Sequence, residues 1–418
     1  MKIMWLCNVP ISQICEKLEI KNSVLGGWLN GASGYILEGD HQLVYLFPYK
    51  NRIEGELGNL TYIGYVENNV IEYDDLNEVY FSNLINKYKP DVIHVWGTEF
   101  VHSLEMVNAA LRNGMSERLV VSIQGIISEC AKVYTVGIKE NALKGKTLRD
   151  IIRKDSILKQ KDMFKRRGEN EKEIIKKVKH VIGRTDWDKR VCYNINPAAK
   201  YHKCNESLRL EFYTAEKWDY ERCRKHSVFC SQGSYPIKGF HIALEAFKLI
   251  KDKYPDLEIR ITGNDYVRQS FIQRQKRTYY YTYLRDLIVK NGLESSVKFL
   301  GSLDSGEIIK EYQRANVFLS ASLLENSSNS IGEAMMIGTP VISSNVGGCS
   351  SIIDDGRTGV LYDVTDVKAI AKNVEKLFED VSFAKNISEE ARKVAFERHN
   401  GKKNNHDLTD IYNSLLQR

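Results

Sequence analysis

Short apolar runs alternate along the chain with longer stretches whose apolar residues recur at helical spacing. Lys2 to Cys7, Gln42 to Phe47, Asp91 to Trp96, Glu117 to Ile123 and His180 to Gly183 are such runs, and they predict strands. Ser103 to Asn113 predicts one of the helices between them. A second cycle starts at Ser227 to Ser231 and predicts helix 241–251, strand 257–262, helix 283–291, strand 297–300, helix 307–314, strand 316–320, helix 331–337 and strand 341–343. Asp366 is placed to cap a helix whose Val367, Ile370, Val374, Leu377 and Phe378 fall on one face. Alternation of this kind predicts parallel sheets covered by helices, in two similar halves that meet near residues 205–226. Ligands of such sheets bind at the carboxyl ends of the strands.

Two stretches depart from this rhythm. Leu143 to Lys179 is strongly charged, with Ile151, Ile152, Ile157, Leu158, Met163 and Phe164 at helical spacing, and reads as an exposed amphipathic helix, either solvated or set against a partner or a membrane. Arg268 to Tyr283 is basic and rich in tyrosine. It suits either a solvated surface helix or an anionic membrane surface that carries a lipid-linked acceptor.

At 418 residues, 43% hydrophobic and 27% charged, the chain has the length for two domains and the composition of a globular protein. The run from Met1 to Asn8 reaches polar residues too early for a signal-peptide core, and no apolar stretch is long enough to span a bilayer. A cytoplasmic location follows as an expectation. Eight cysteines without a C-x-x-C pair predict neither a zinc site nor a disulfide framework. A net charge of +6 is too small to argue for nucleic acid but adds weight to phosphate-bearing ligands or an anionic lipid surface.

The most informative stretch, Ala321 to Gly348, contains Glu325 and Glu333, an E-x7-E pair. Glu325 is predicted on a loop after strand 316–320. Ser328, Asn329 and Ser330 are cap-type residues, and Glu333 is predicted in the first turn of the helix they open. A helix N-terminus suits a diphosphate, and a nearby carboxylate suits sugar hydroxyls. A second loop, Ser231-Gln232-Gly233-Ser234-Tyr235-Pro236-Ile237-Lys238-Gly239, leads from a strand into helix 241–251 and offers a lysine for the same charge.

These residues resemble the signature of family 4 glycosyltransferases over roughly residues 226 to 380, with Gly347-Gly348, Asp354-Asp355-Gly356 and Thr358-Gly359 continuing the pattern. The resemblance implies a GT-B fold, an α/β arrangement of two Rossmann-like domains facing a central cleft. It further implies residues 1–218 on the acceptor side, 219–395 on the nucleotide-sugar side and 396–418 crossing back to the first domain. It implies that Glu325 contacts the transferred sugar, that Glu333 holds the ribose hydroxyls, that N–H groups at Ser328, Asn329 and Ser330 receive phosphate, and that Lys238 neutralises the donor diphosphate. Gly233 belongs to the phosphate loop, and Gly26-Gly27 would let backbone approach the phosphates.

The sequence departs from the family where an arginine follows the first loop glycine: Ser234, or Gly233 without a gap, stands there. Arg184 is the candidate replacement across the cleft, with a salt bridge to Asp186 or Asp188 as the plainer alternative. Gln124 stands where many members place a histidine, and His102 is either a cleft residue or a helix-start residue. Asp186-Trp187-Asp188 is assigned to helix capping and not to a metal. The implied activity is retaining transfer of a hexose from a UDP- or GDP-linked donor to a glycan hydroxyl, without an obligatory cofactor; Val95 to His102 and Ser122 to Gly125 in the N-terminal half resemble the subset of the family that builds bacterial surface polysaccharides. The alternative is a non-catalytic GT-B subunit that binds glycan or stabilises a partner enzyme. A sugar-nucleotide epimerase lacks a supporting acid/base signature.

Overall fold

The computed structural model describes residues 1–21, 26–67 and 69–417, which form two compact units. The first unit comprises Met1–Ser128, Lys165–Arg209 and the chain from His399 onward; the second comprises Glu129–Phe164 and Leu210–Arg398.

In the first unit, strands β1 (Lys2–Leu6), β2 (Gln42–Pro48), β3 (Ile53–Leu57), β4 (Leu60–Tyr65), β5 (Val92–Trp96), β6 (Leu119–Ser122), β7 (His180–Gly183) and β8 (Lys200–Lys203) form one sheet in the order β3-β4-β2-β1-β5-β6-β7-β8. All neighbours are parallel except β3 and β4, an edge hairpin that the sequence pattern did not predict. The central strands are apolar on both faces because helices cover both: β5 is buried at every residue. The C-terminal helix Gly401–Leu416 lays Leu408, Tyr412 and Leu415 against the same core as Trp5, whose indole N–H donates to Tyr412 Oη at 3.0 Å.

In the second unit, β9 (Arg224–Cys230), β10 (Glu258–Ile261), β11 (Val297–Phe299), β12 (Ala315–Ser320), β13 (Val341–Ser344) and β14 (Val360–Tyr362) run parallel in the order β11-β10-β9-β12-β13-β14. This is the doubly wound arrangement in which the strand order reverses between the first and fourth strands, here β9 and β12. The loops that leave the carboxyl ends of those two strands carry Lys238 and Glu325.

The first domain was expected to take in all of residues 1–218, but residues 129–164 pack with the second unit. Polar contacts made far along the chain hold them there. Thr147 Oγ1 donates to the Arg277 carbonyl at 2.6 Å, the Tyr279 N–H donates to Asp150 Oδ2 at 2.8 Å, and His241 Nε2 lies 2.9 Å from the Val136 carbonyl. The single exposed helix expected over 143–179 is instead broken into Glu140–Lys144, Leu148–Arg153 and Ile157–Lys177. Thr147 caps the second of these in a reciprocal box with Asp150, and Lys154 leaves it in the left-handed region at φ 53°. Glu117 and Arg118, expected in a strand, lie in the 3-10 turn Ser116–Arg118.

Candidate functional site

Where the strand order of the second sheet reverses, two loops are pinned to each other by backbone. The Leu323 N–H donates to the Ile237 carbonyl at 2.7 Å, joining the Glu325 loop to the Lys238 loop. Ser344 Oγ donates to the Ser322 carbonyl at 2.5 Å, and the Gly348 N–H donates to the Glu325 carbonyl at 2.9 Å. Two glycines make this closeness feasible. A Cβ on Gly239 (φ 63°) would stand 1.8 Å from the Ala321 carbonyl oxygen, and one on Gly347 (φ 54°) would stand 2.0 Å from the Glu325 carbonyl oxygen. Gly233 is also confined, by Ile261 and Phe240.

This frame brings Lys238 Nζ to 2.6 Å from Glu325 Oε1, with the two side chains 19% and 13% exposed. Ser322 Oγ donates to the same carboxylate oxygen at 2.6 Å, and the Tyr235 ring centroid lies 5.9 Å from the ammonium. Burial by itself would lower the Lys238 pKa, but the Glu325 carboxylate and the Tyr235 hydroxyl outweigh it and hold the amine above the ordinary lysine range. Burial pushes the Tyr235 hydroxyl up. The site is therefore a desolvated ion pair with its ammonium firmly charged. Ser322 and Tyr235 escaped the sequence reading, although Ser322 lies only three residues before Glu325.

The helix after Glu325 is Asn329–Ile337, with Ser328 as N-cap. Ser328 makes no side-chain capping bond to this helix, and its hydroxyl lies 3.0 Å from Ser330 Oγ. The first-turn N–H groups of any helix lack intrahelical acceptors, so this end presents donors and a partial positive charge. Glu333 was expected in the first turn. It is the fifth helical residue, in the second turn, because the helix starts at Asn329 and not near Ile331. It is buried, and Tyr312 Oη, which donates to the Ser330 carbonyl at 3.1 Å, lies 3.5 Å from Glu333 Oε2. At the far end, Arg392 Nη1 donates to the Met336 carbonyl at 2.6 Å, which satisfies a terminal acceptor.

The remaining sequence-derived candidates lie in the first unit. Gly26 is the left-handed N-cap (φ 74°) of helix Gly27–Glu38; a Cβ there would meet Val9 at 2.8 Å, and one on Gly27 would meet Arg209 at 2.8 Å. Arg184 is buried, with Nη1 donating to Glu206 Oε2 at 2.5 Å and Nη2 to the Gln124 carbonyl at 2.9 Å. Gln124 Nε2 donates to Glu206 Oε1 at 2.6 Å. Arg184 thus pairs with Glu206, and its backbone N–H donates to Asp188 Oδ2 at 2.9 Å. Asp188 also completes a capping box with Thr185 and accepts from Tyr201 Oη. The hollow beside Arg184, lined also by Trp28, Trp96 and Ser122, measures about 20 Å³, room for about one water. His102 lies in the first turn of helix Val101–Arg112, buried, with Nδ1 2.6 Å from Glu67 Oε1 and its ring stacked on Phe100.

A family model described as glycosyl transferases group 1 matches residues 216–394. D-inositol 3-phosphate glycosyltransferase of Corynebacterium urealyticum is 28% identical over 183 residues, covering 43% of this chain and 41% of that protein. The capsular polysaccharide biosynthesis glycosyltransferase CapM of Staphylococcus aureus is 27% identical over 188 residues, covering 43% and 44%. The chain spans about two fifths of the length of the curated relatives it matches. The solved structure of HepE from Anabaena in complex with UDP-glucose has a TM-score of 0.66 at 15% identity, over 99% of this chain and 100% of HepE. Likeness at that identity speaks to fold, and the fold is GT-B, two parallel-sheet α/β domains. The family match begins shortly before β9 and ends within the helix Val381–Arg398, so it takes in the whole second sheet with both pinned loops, and over these residues the chain is similar to the group 1 glycosyl transferases.

Proposed function

We propose that this protein transfers a hexose from a UDP- or GDP-linked donor to a hydroxyl of a glycan acceptor, with retention, in bacterial surface polysaccharide synthesis. The second unit is the donor side and the first the acceptor side. The acceptor is lipid-linked and is met at the inner face of the cell membrane. The observation that carries the reading is the Lys238–Glu325 pair, 2.6 Å apart at the strand-order reversal of the second sheet. Doubly wound sheets bind nucleotides at that place. As the bond between the sugar C1 and the diphosphate oxygen breaks, negative charge grows on the leaving group. The Lys238 ammonium and the N–H groups opening helix Asn329–Ile337 meet that charge without reorganisation. Glu325, held by Ser322 and by its backbone, positions the sugar beside the reacting carbon, while Glu333 takes the ribose hydroxyls. The UDP-glucose complex of HepE supports a uridine donor, and the role of CapM supports a polysaccharide product.

A panel of UDP-, GDP- and TDP-sugars tests the proposal through thermal stabilisation and slow donor hydrolysis. At least one donor is expected to do both, and Lys238→Ala is expected to abolish both while the fold persists. If no donor stabilises or is hydrolysed, the non-catalytic GT-B subunit becomes the better account. The absence of a loop arginine at Gly233-Ser234 favours that second reading.

A further inference from the structure

Two short helices of the second unit, distant in sequence, are joined and carry their apolar side chains outward. Leu148–Arg153 and Phe271–Gln275 each begin with a reciprocal capping box, Thr147 with Asp150 and Ser270 with Gln273. The Leu148 N–H donates to Gln275 Oε1 at 3.0 Å, and Thr147 Oγ1 donates to the Arg277 carbonyl. Yet Leu148 is 59% exposed, Ile151 60%, Ile152 79%, Phe271 67% and Ile272 70%. Single exposed apolar residues are ordinary, but five large ones on two helices fixed to each other are not.

The charge around them is one-sided. Residues 140–162 and 265–277 hold eleven basic and five acidic side chains, a surplus of six that equals the +6 of the whole chain. Among the five acids, Asp155 pairs with Arg149 at 2.7 Å, Glu140 with Lys144 and Asp265 with Arg268, and Asp150 accepts from the Thr147 and Tyr279 N–H groups. Next to the helices lies a cavity of about 300 Å³ lined by Arg149, Lys276, Arg277 and Tyr281, whose wall also includes Ser234 and Tyr235 of the loop that carries Lys238.

We propose that these two helices form a face that docks on an anionic phospholipid bilayer. The apolar side chains enter the acyl boundary, and the surrounding lysines and arginines lie at the depth of the headgroups with their stems along the apolar surface. Nucleic acid would be met by aromatic stacking platforms, whereas four of the five outward side chains are aliphatic. The face would serve the lipid-linked acceptor of the proposed function and rests on that reading for its purpose, but its lipid binding is measured separately.

Full-length protein is mixed with vesicles of phosphatidylcholine alone or with phosphatidylserine added, and sedimented. Sedimentation is expected with the anionic vesicles, to fall with added salt, and to be weak with phosphatidylcholine alone. Ile151→Ser/Ile152→Ser and Phe271→Ser/Ile272→Ser should each weaken it at least about tenfold. Arg153→Gln and Lys276→Gln should each cost about fivefold on anionic vesicles only. The nucleotide-induced thermal shift is expected to survive in every variant, which certifies the fold. No sedimentation of the parent protein by anionic vesicles overturns the proposal, as does sedimentation that the two apolar variants leave unchanged, which would point to an acidic soluble partner. Vesicle binding without any nucleotide-induced shift in the parent protein would sink the transferase reading and leave this one standing.

Discussion

Replacing Glu325 by glutamine removes one charge from the centre of the site and leaves its shape nearly intact. The amide oxygen can still accept from Ser322, but Lys238 is left charged among groups that keep it 19% exposed. At 2.6 Å the pair's attraction amounts to about 6 kcal/mol with an effective dielectric of about 20. Desolvation offsets much of that, and breaking a fully buried pair costs about 3–5 kcal/mol. Because both side chains retain some solvent, a loss of about 2–3 kcal/mol is expected in the empty protein. For a unit of roughly 225 residues this corresponds to a fall of about 4–12 °C in melting temperature. A nucleoside diphosphate supplies the missing negative charge, so it should stabilise the variant more than the parent and bind at least as tightly. Transfer should nevertheless fall by tenfold or more, because the proposed function puts this carboxylate beside the sugar. Melting curves with and without UDP and GDP, together with single-turnover transfer, check all three outcomes. A melting temperature within about 1 °C of the parent, or loss of nucleotide binding in step with turnover, would refute the reasoning.

Glu333→Ala, by contrast, should mainly weaken nucleotide binding, affecting plain nucleoside diphosphate as much as the sugar nucleotide; equal weakening by Glu325→Ala in titration calorimetry would dissolve the separation of roles. Gly347→Ala forces a Cβ to 2.0 Å from the Glu325 carbonyl oxygen and should displace that loop, lowering donor binding and melting temperature together, while Gly306→Ala, whose Cβ meets nothing nearer than 3.5 Å, should bind donor as the parent does. In the first unit, burial raises Glu105 to about 7 against the opposing Asp74 N–H hydrogen bond, whereas an unfolded glutamate titrates near ~4.3. Its contribution is therefore fully present below about pH 4.3 and is lost as pH rises through about 7. Glu105→Gln should flatten this dependence, gaining about 1–2 kcal/mol over the parent at pH 8 and little at pH 4.5 in urea melts; the same difference at both pH values would contradict it.

The pattern of apolar runs determined the alternation of strands and helices, and with it two parallel-sheet halves, because strands buried on both faces must be short and continuously apolar. The strands at 42–47, 180–183 and 316–320 were legible within about a residue for that reason. The edge hairpin β3–β4 was not, since Ile53–Leu57 contains two glutamates on an exposed side and carries too little apolar signal. The loop order Lys238, Glu325, Glu333 was legible as motif, and the cap-type residues before Glu333 placed a helix there. Only the fold decided that Lys238 and Glu325, 87 residues apart, close into an ion pair: their contact depends on the Leu323–Ile237 backbone bond and on two glycines in left-handed backbone. Tertiary structure likewise gave Arg184 to Glu206, and it moved residues 129–164 to the second unit through hydrogen bonds to Arg277, Tyr279 and His241. A sequence states the local period and the local caps. Which distant donor meets which acceptor depends on how the strands order themselves in a sheet, and no window of neighbouring residues contains that information.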